Sequence, residues 1–397
     1  MEDVEFLIVG CGPAGAQAAR EAARQGIETI VLEKDAVVGA KRVCAAGLRP
    51  GFCKTFDLPR ELIHFDTPRM ALFDEEGTCH AFPVGPAHTT TREELDGTMA
   101  ELALQAGAQL RTQSLYRKHR VGRDSTTVEY ADLQSGQHKQ IRARNVFFAT
   151  GATARLDTDE QLAFPKWEDG LLTCYQYRLY LARPAEPIAY QTLELHYFRA
   201  ANGRQIVAWM FPKRDHLTVG LGVMGKMPGK ELRAELKGFQ ARVAPRLYPG
   251  IASRIKEEGH LLYGGRPRPS IVSGSLMVGG TAAGLVDATN GEGIFEAAMS
   301  GRLAADAVAT HPNAPNRAAQ RYNAGVKGRF YARLKHRDTL MRFLERRPRR
   351  FGVLFEQLAT TPRFAEILQR EDSYLPIIDR FYLYGQALKF AKNAIRA

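Results

Sequence analysis

At 397 residues the chain exceeds one ordinary domain, so two or three folding units are expected. Its five cysteines (Cys11, Cys44, Cys53, Cys79, Cys174) form no CxxC pair and no Cys/His zinc spacing, which argues against a disulfide framework or a structural metal, and no run of 18 apolar residues could cross a bilayer as a helix. The net charge of +12 is uneven: residues 311–397 hold 18 Lys and Arg against 7 Asp and Glu, so nearly all the excess lies in the last fifth of the chain and suggests an anionic partner.

The first element is a buried strand through Phe6, Leu7, Ile8 and Val9, which opens into Gly10-Cys11-Gly12-Pro13-Ala14-Gly15. An alanine-rich helix over Gln17–Gln25 and a second strand, Thr29–Leu32, follow, and Glu33 closes the unit. A bare GxGxxG is a weak signal; between a strand and a helix, with an acid 18 residues on, it has the full context of a dinucleotide fingerprint. Gly10 makes the tight turn, Gly12 admits a pyrophosphate to the backbone, and Gly15 lets helix and sheet pack closely. The helix N-terminus offers unpaired N–H groups to phosphate, and Pro13 and Ala14 in the turn before it are counted with the glycines as cofactor contacts. Glu33 can accept from ribose hydroxyls and would repel a 2′-phosphate, so the tightly bound nucleotide is expected to be FAD or NAD and not NADP. The acidic start at Glu2, Asp3 and Glu5 is the opposite of a basic secretory leader, and a cytoplasmic protein is expected.

Residues 34–90 read as an excursion with turns at Gly39, Gly47, Pro50-Gly51 and Pro59. A helix starts at Thr91-Arg92 and runs to about Gly107. Strands are expected over Leu110–Leu115, Thr127–Leu133 and Ile141–Phe148, the last apolar, central and ending in Ala149-Thr150-Gly151. Period-two alternation through Tyr175, Tyr177, Leu179 and Leu181, and again through Leu193, Leu195 and Tyr197, indicates half-buried antiparallel strands. Ile206–Phe211 and Leu217–Val223 continue that sheet, and Lys230–Val243 is an amphipathic helix. A short apolar strand, Leu276–Val278, precedes glycine-rich loops and a helix over Gly293–Ala309. The remainder reads as helices broken at Pro348, Pro362 and Pro376.

Three further stretches narrow the reading. They are Val43-Cys44-Ala45-Ala46-Gly47-Leu48; Ala208-Trp209-Met210-Phe211-Pro212-Lys213 with Asp215-His216 after it; and Gly279-Gly280-Thr281-Ala282-Ala283-Gly284 followed by Gly291-Glu292-Gly293-Ile294 and Ser300-Gly301. With the first glycine turn, Arg92 to Asp96, and Ala149-Thr150-Gly151, these stand in the order and spacing of the geranylgeranyl reductase family of FAD enzymes. By motif the resemblance covers roughly residues 4–309. Leu340–Leu344 and Phe381–Tyr384 resemble the ending of the chlorophyll and bacteriochlorophyll branch.

The resemblance implies an α/β plus antiparallel β fold: a Rossmann-type FAD domain like that of p-hydroxybenzoate hydroxylase, a β-sheet substrate domain and a helical C-terminal tail. The expected boundaries are 1–60, 90–165 and 270–312 for the FAD domain, 61–89 and 166–269 for the substrate domain, and 313–397 for the basic tail. It implies flavin-dependent hydrogenation of C=C bonds in a polyprenyl chain, with NADPH or another reductant as electron donor. An aromatic monooxygenase on the same fold is the alternative. Arg92 matches the family arginine that contacts FAD, and Gly151, Gly280 and Thr281 fall at cofactor contacts. The family usually has Gly-Asp where this chain has Gly280-Thr281, which replaces a charge-assisted hydrogen bond by an ordinary one.

Physical chemistry supports several roles. The amides at Gly291-Glu292-Gly293-Ile294 precede a helix and can face the pyrimidine edge of a reduced flavin, which carries negative charge. Trp209, Phe211 and Pro212 offer an apolar wall for an isoprenoid, which has no polar handle. An isolated trisubstituted alkene is a poor electrophile, so a proton source is needed. The candidates are His216 and Cys44, the latter either positioning substrate or assisting protonation. Finally, Arg346-Arg347-Pro348-Arg349-Arg350 lies among Leu340, Phe343, Leu344, Phe351, Val353, Leu354 and Phe355, a combination suited to an anionic membrane surface. No motif supports nucleic-acid binding.

Overall fold

A computed structural model describes residues 1–40, 44–152, 170–181, 192–243, 251–369 and 375–396. Val43 of the cysteine motif, and the parts of the expected domains that fall in 153–169, lie outside the described residues.

In chain order the elements are β1 (Glu2–Val9), α1 (Pro13–Arg24), β2 (Thr29–Leu32), β3 (Gly47–Leu48), α2 (Phe52–Thr55), β4 (Phe65–Phe73), β5 (Cys79–Thr89), α3 (Arg92–Gln105), β6 (Gln109–Arg111), β7 (Ser114–Val121), β8 (Thr126–Asp132) and β9 (His138–Phe148). They continue as β10 (Leu171–Leu181), β11 (Thr192–Arg199), β12 (Gln205–Pro212), β13 (His216–Met224), α4 (Gly229–Val243), β14 (Ile251–Tyr263), β15 (Val272–Ser273) and β16 (Leu276–Val278). The last helices are α5 (Ile294–Thr310), α6 (Pro315–Val326), α7 (Ala332–Glu345), α8 (Arg349–Thr360), α9 (Pro362–Gln369) and α10 (Ile377–Arg396).

The first sheet runs β15-β16-β9-β1-β2-β6, with β7 and β8 as an antiparallel extension from β9. Its β16-β9-β1-β2-β6 portion is parallel. Helices cover such strands on both faces, which is why Phe6–Val9 and Val146–Phe148 are unbroken apolar runs and fully buried or nearly so. Helix α1 begins at Pro13, four residues before the expected start, because Pro with its fixed φ suits the first helical position. The expected strand Leu110–Leu115 is two strands: Gln113, with φ of +54°, turns the chain between β6 and β7.

The second sheet runs β14-β10-β13-β12-β11-β4-β5-β3. Residues 61–89, expected to belong to the β-sheet substrate domain, supply its strands β4 and β5, and β4 pairs with β11 in parallel. Strand β14 carries no clear alternation in the sequence: among the described residues it is an edge strand paired with β10 alone, and Lys256-Glu257-Glu258 hides its period. One face packs on α4 through Leu232, Leu236 and Phe239. The opposite face, with Leu72, Phe82, Leu195 and Phe211, meets Leu344, Phe351, Leu354 and Leu358 of the C-terminal helices in a separate apolar cluster.

That packing corrects the membrane-surface reading of residues 340–355. Leu344, Phe351, Leu354 and Phe355 are buried against the sheet. Arg350 is buried too; its guanidinium stacks 3.9 Å from the Phe343 ring centroid and donates to the Phe343 carbonyl. The periodicity of helices that bury one face was present here, and the adjoining arginine run obscured it.

Candidate active site

The turn after β1 is built tightly. Gly10 has φ of +101°, and its N–H donates to the Leu32 carbonyl at 2.7 Å. A Cβ on Gly15 would fall 1.8 Å from the Gly10 carbonyl oxygen, and one on Gly301 would fall 2.1 Å from that of Ala14, so α1 sits hard against both its own turn and α5. A Cβ on Gly12, in contrast, would meet nothing closer than Nη2 of Arg92 at 3.8 Å. Glu33 is buried, and its carboxylate accepts from the N–H groups of Cys11 at 2.8 Å and Asp35 at 3.0 Å. The expected ribose acceptor therefore braces the turn, and Glu33 is not a wall of the cavity described next.

A cavity of about 390 Å³ starts at Gly12, Pro13 and Ala14 and runs past Arg92, Gly151, Gly280 and Thr281 to Gly291, Glu292, Gly293 and Ile294. It continues along Trp209 and Phe211 to Leu354, Leu358 and Leu368 in the C-terminal helices. That volume suits a bound organic molecule. Two helices begin on its wall, α1 at Gly12 and α5 at Gly293, and neither has a side-chain cap. The first amides of each helix thus have no intrahelical acceptor and offer partial positive charge to the cavity.

Arg92 holds Asp96 with two parallel hydrogen bonds of 2.8 and 2.7 Å. Burial works against the Arg92 charge, but Asp96 outweighs it, the Cys44 thiol adds to the effect, and the guanidinium stays firmly protonated. Gly280 donates its N–H to Ser300 Oγ at 3.0 Å, with φ of +58°. The loop before α5 is closed by Asp287, whose N–H donates to the Glu292 carbonyl at 2.7 Å and whose carbonyl accepts from Gly291 at 2.9 Å.

Charges missing from the sequence reading brace this loop. Arg49 bridges Glu292 and Glu296, and Arg333 also reaches Glu296. Arg337 lies 3.5 Å from Asp287. Burial pushes the Glu292 carboxyl up, Arg49 pulls it down, and neighbouring Glu296 pushes it up again. Arg333 and Arg337 belong to α7, so the basic tail neutralises the acids of the loop. Sequence spacing could not pair residues so far apart.

Cys44, Ala45, Ala46 and Gly47 form one cavity wall; a Cβ on Gly47 would fall 2.7 Å from the Phe211 ring. Beneath them Lys213, 1% exposed, donates from Nζ to the Ala45 carbonyl at 2.6 Å. Burial pushes its ammonium down to about 7, opposed by Cys44 and partly reinforced by Arg178. Trp209 packs on Gly220, where a Cβ would lie 2.3 Å from the indole. The structure brings Cys44, Trp209 and Phe211 together on the cavity and leaves two of the expected substrate and proton-donor residues off it. Pro212 is buried behind the wall, and His216 sits at the start of β13 with Nδ1 2.7 Å from Asp215 Oδ1. His216 is not among the residues that line the cavity, and burial lowers its pKa. His260, opposite Cys174 in the β10–β14 register, is the histidine that lines the cavity among the described residues. It lay in the strand the sequence did not reveal.

The residues fit FAD. Gly12 and Gly151 leave open space where a side chain would stand, and two uncapped helix N-termini border the same cavity.

Residues 3–168 match the FAD binding domain family. The chain is 30% identical over 335 residues to a geranylgeranyl diphosphate reductase of Synechocystis sp., covering 78% of this chain and 76% of that protein. It is 28% identical over 325 residues to a digeranylgeranylglycerophospholipid reductase of Methanosphaerula palustris, covering 76% and 75% respectively. The solved structure of a geranylgeranyl bacteriochlorophyll reductase-like protein from Thermoplasma acidophilum superposes with a TM-score of 0.79. That match covers 99% of this chain and 100% of the other at 20% identity, and it speaks for the fold.

Proposed function

The chain belongs to the geranylgeranyl reductase family of FAD-dependent oxidoreductases, and on that premise we propose that it hydrogenates carbon–carbon double bonds in a polyprenyl chain carried by a pigment, quinone or lipid. The observation that carries this reading is the form of the cavity. One end is bordered by amides and glycines, the other by hydrocarbon: Leu72, Phe82, Leu195, Phe351, Leu354 and Leu358. A substrate with no polar handle calls for such a slot.

When bound and reduced, FAD supplies the hydride, drawn on this reading from NADPH or another two-electron donor. Gly12, Pro13 and Ala14 would hold the pyrophosphate at the start of α1, with Gly15 letting that helix approach. Arg92, Gly151, Gly280 and Thr281 would border the rest of the cofactor, and Glu33 and Gly10 fix the turn. Gly291, Glu292, Gly293 and Ile294 would stabilise the negative charge of the reduced ring. Trp209 and Phe211 orient the alkene and exclude water. Cys44 stands at the wall between the two ends; it positions the chain or holds the proton that the alkene must receive. His260 is a further proton carrier on the cavity.

Among the described residues no helix is long and apolar enough to cross a membrane. A cytoplasmic enzyme that meets its substrate at a membrane surface fits both that fact and the chemistry of a polyprenyl lipid. Anaerobic incubation with a reductant and a geranylgeranyl lipid tests the reading. Saturated product in the absence of air supports it, whereas turnover that consumes oxygen in step with a hydroxylated product supports an aromatic monooxygenase instead.

A further inference from the structure

Helix α10 is apolar on two opposite sides. Its inner side carries Phe390 and Ala394, both buried; Phe390 packs edge-on against Phe343. The Ala394 carbonyl accepts from Arg350 at 3.4 Å. Gln357 of α8 donates to the Gln386 carbonyl at 3.1 Å. Its outer side carries Ile377, Phe381, Tyr384, Leu388 and Ile395, each between 57% and 72% exposed. Their spacings of four, three, four and seven residues place them in one stripe along the helix. An ordinary surface helix would put polar residues there. Scattered apolar side chains on a surface need no explanation, but a continuous row of large ones does.

The charges beside the stripe select what covers it. Arg380, Lys389 and Lys392 are exposed on this helix. Its single acid, Asp379, is buried and faces inward, within 3.3 Å of Arg363. The stripe is therefore flanked by cations with no exposed carboxylate on α10. A second copy of the same helix would oppose like charges across the contact. An anionic lipid surface would take the apolar row into its acyl boundary and pair the cations with headgroups.

The position of α10 also suits that partner. It packs against α8 and α9, and Leu354, Leu358, Ala365 and Leu368 of those two helices line the hydrocarbon end of the cavity. Contact along α10 would bring that end beside the lipid phase.

We propose that the outer face of α10, through Ile377, Phe381, Tyr384, Leu388 and Ile395 with Arg380, Lys389 and Lys392, docks the protein in the plane of an anionic bilayer surface. This rests on the proposed polyprenyl substrate for its purpose but not for its test. The docking face is α10 itself and not the segment around the arginine run at 346–350, whose Leu344, Phe351, Leu354 and Phe355 are buried against the sheet.

The test is flotation of the full-length flavin-loaded protein with phosphatidylcholine vesicles, with and without phosphatidylglycerol. The wild type is expected to float with the anionic vesicles, less so at high salt, and to stay behind with neutral ones. Phe381→Ser with Leu388→Ser is expected to lower the bound fraction at least tenfold, with flavin content, melting temperature and turnover of a short, soluble prenyl alcohol unchanged. If that pair misfolds, Phe381→Trp keeps the apolar row, and its added fluorescence is expected to be quenched by brominated acyl chains. Failure of turnover with intact vesicle binding would count against the proposed reaction alone. Wild type left behind with anionic vesicles, an unquenched Trp at 381, or a dimer that the Ser pair dissociates would overturn the docking proposal.

Discussion

Lys213 Nζ donates to the carbonyl oxygen of Ala45 at 2.6 Å, so a buried ammonium on the substrate sheet holds the loop that carries Cys44. Replacement by Met leaves that carbonyl without its donor, at a cost of about 1–3 kcal/mol. We expect Lys213→Met at pH 9 to lower the melting temperature and to speed alkylation of Cys44 in the substrate-free enzyme. Unchanged values of both would contradict the bracing role.

The same lysine gives a pH signature. Burial pushes it down to about 7, against about 10.4 in the unfolded chain. Between those values the unfolded state binds more protons, so the contribution of Lys213 to stability rises with pH from about 7 to about 10. Urea midpoints of wild type and Lys213→Met, measured at pH 7 and pH 9, should converge on the acid side and separate on the alkaline side. Equal separation at both would remove the titration from the account.

Gly12 and Gly15 should behave differently on substitution. A Cβ at Gly15 collides with the Gly10 carbonyl, whereas Gly12 faces open space beside Arg92. We expect Gly15→Ala to fail to fold. Gly12→Val should fold, keep its circular dichroism and bind little FAD, because the added groups fill the space for the pyrophosphate. Full flavin content in Gly12→Val would contradict the placement.

Trp209 rests on the bare face of Gly220, so Gly220→Ala must displace the indole. The expected result is a rise of about tenfold in KM for the prenyl substrate, with FAD content unaltered. Loss of flavin with an unchanged KM would assign Trp209 to the cofactor and not to the substrate.

Arg49 stands between Glu292 and Glu296, and Glu296 is fully buried. Arg49→Met leaves that carboxylate with Arg333 alone, and removing one partner of a buried pair costs about 3–5 kcal/mol. A melting temperature within a degree or so of wild type would show the bridge to be dispensable.

The first glycine turn, the central strands and the α5 loop were legible in the sequence because each depends on local chemistry. Gly10 needs a positive φ, Gly15 needs the absence of a side chain, and Phe6–Val9 needs burial on both faces. Cys44, Trp209 and Phe211 were legible through their family spacing. The opposite wall was not. Phe351, Leu354 and Leu358 lie beside an arginine run that reads as surface, and only packing shows that Arg350 turns inward over Phe343. Arg49, Arg333 and Arg337 were silent because their acids are far away in sequence. His260 was hidden in an edge strand whose charged middle masks its alternation. Conversely His216, prominent in its motif, forms its hydrogen bond with Asp215 away from the cavity.

A single anaerobic turnover measures hydrogen transfer from flavin to the prenyl chain directly. The flavin-loaded enzyme is chemically reduced, mixed with a geranylgeranyl lipid and examined by mass spectrometry while the flavin spectrum is followed. Each equivalent of flavin reoxidised is expected to add two hydrogens to the prenyl chain. A flavin that stays reduced without air, with the prenyl chain unchanged in mass, would contradict it.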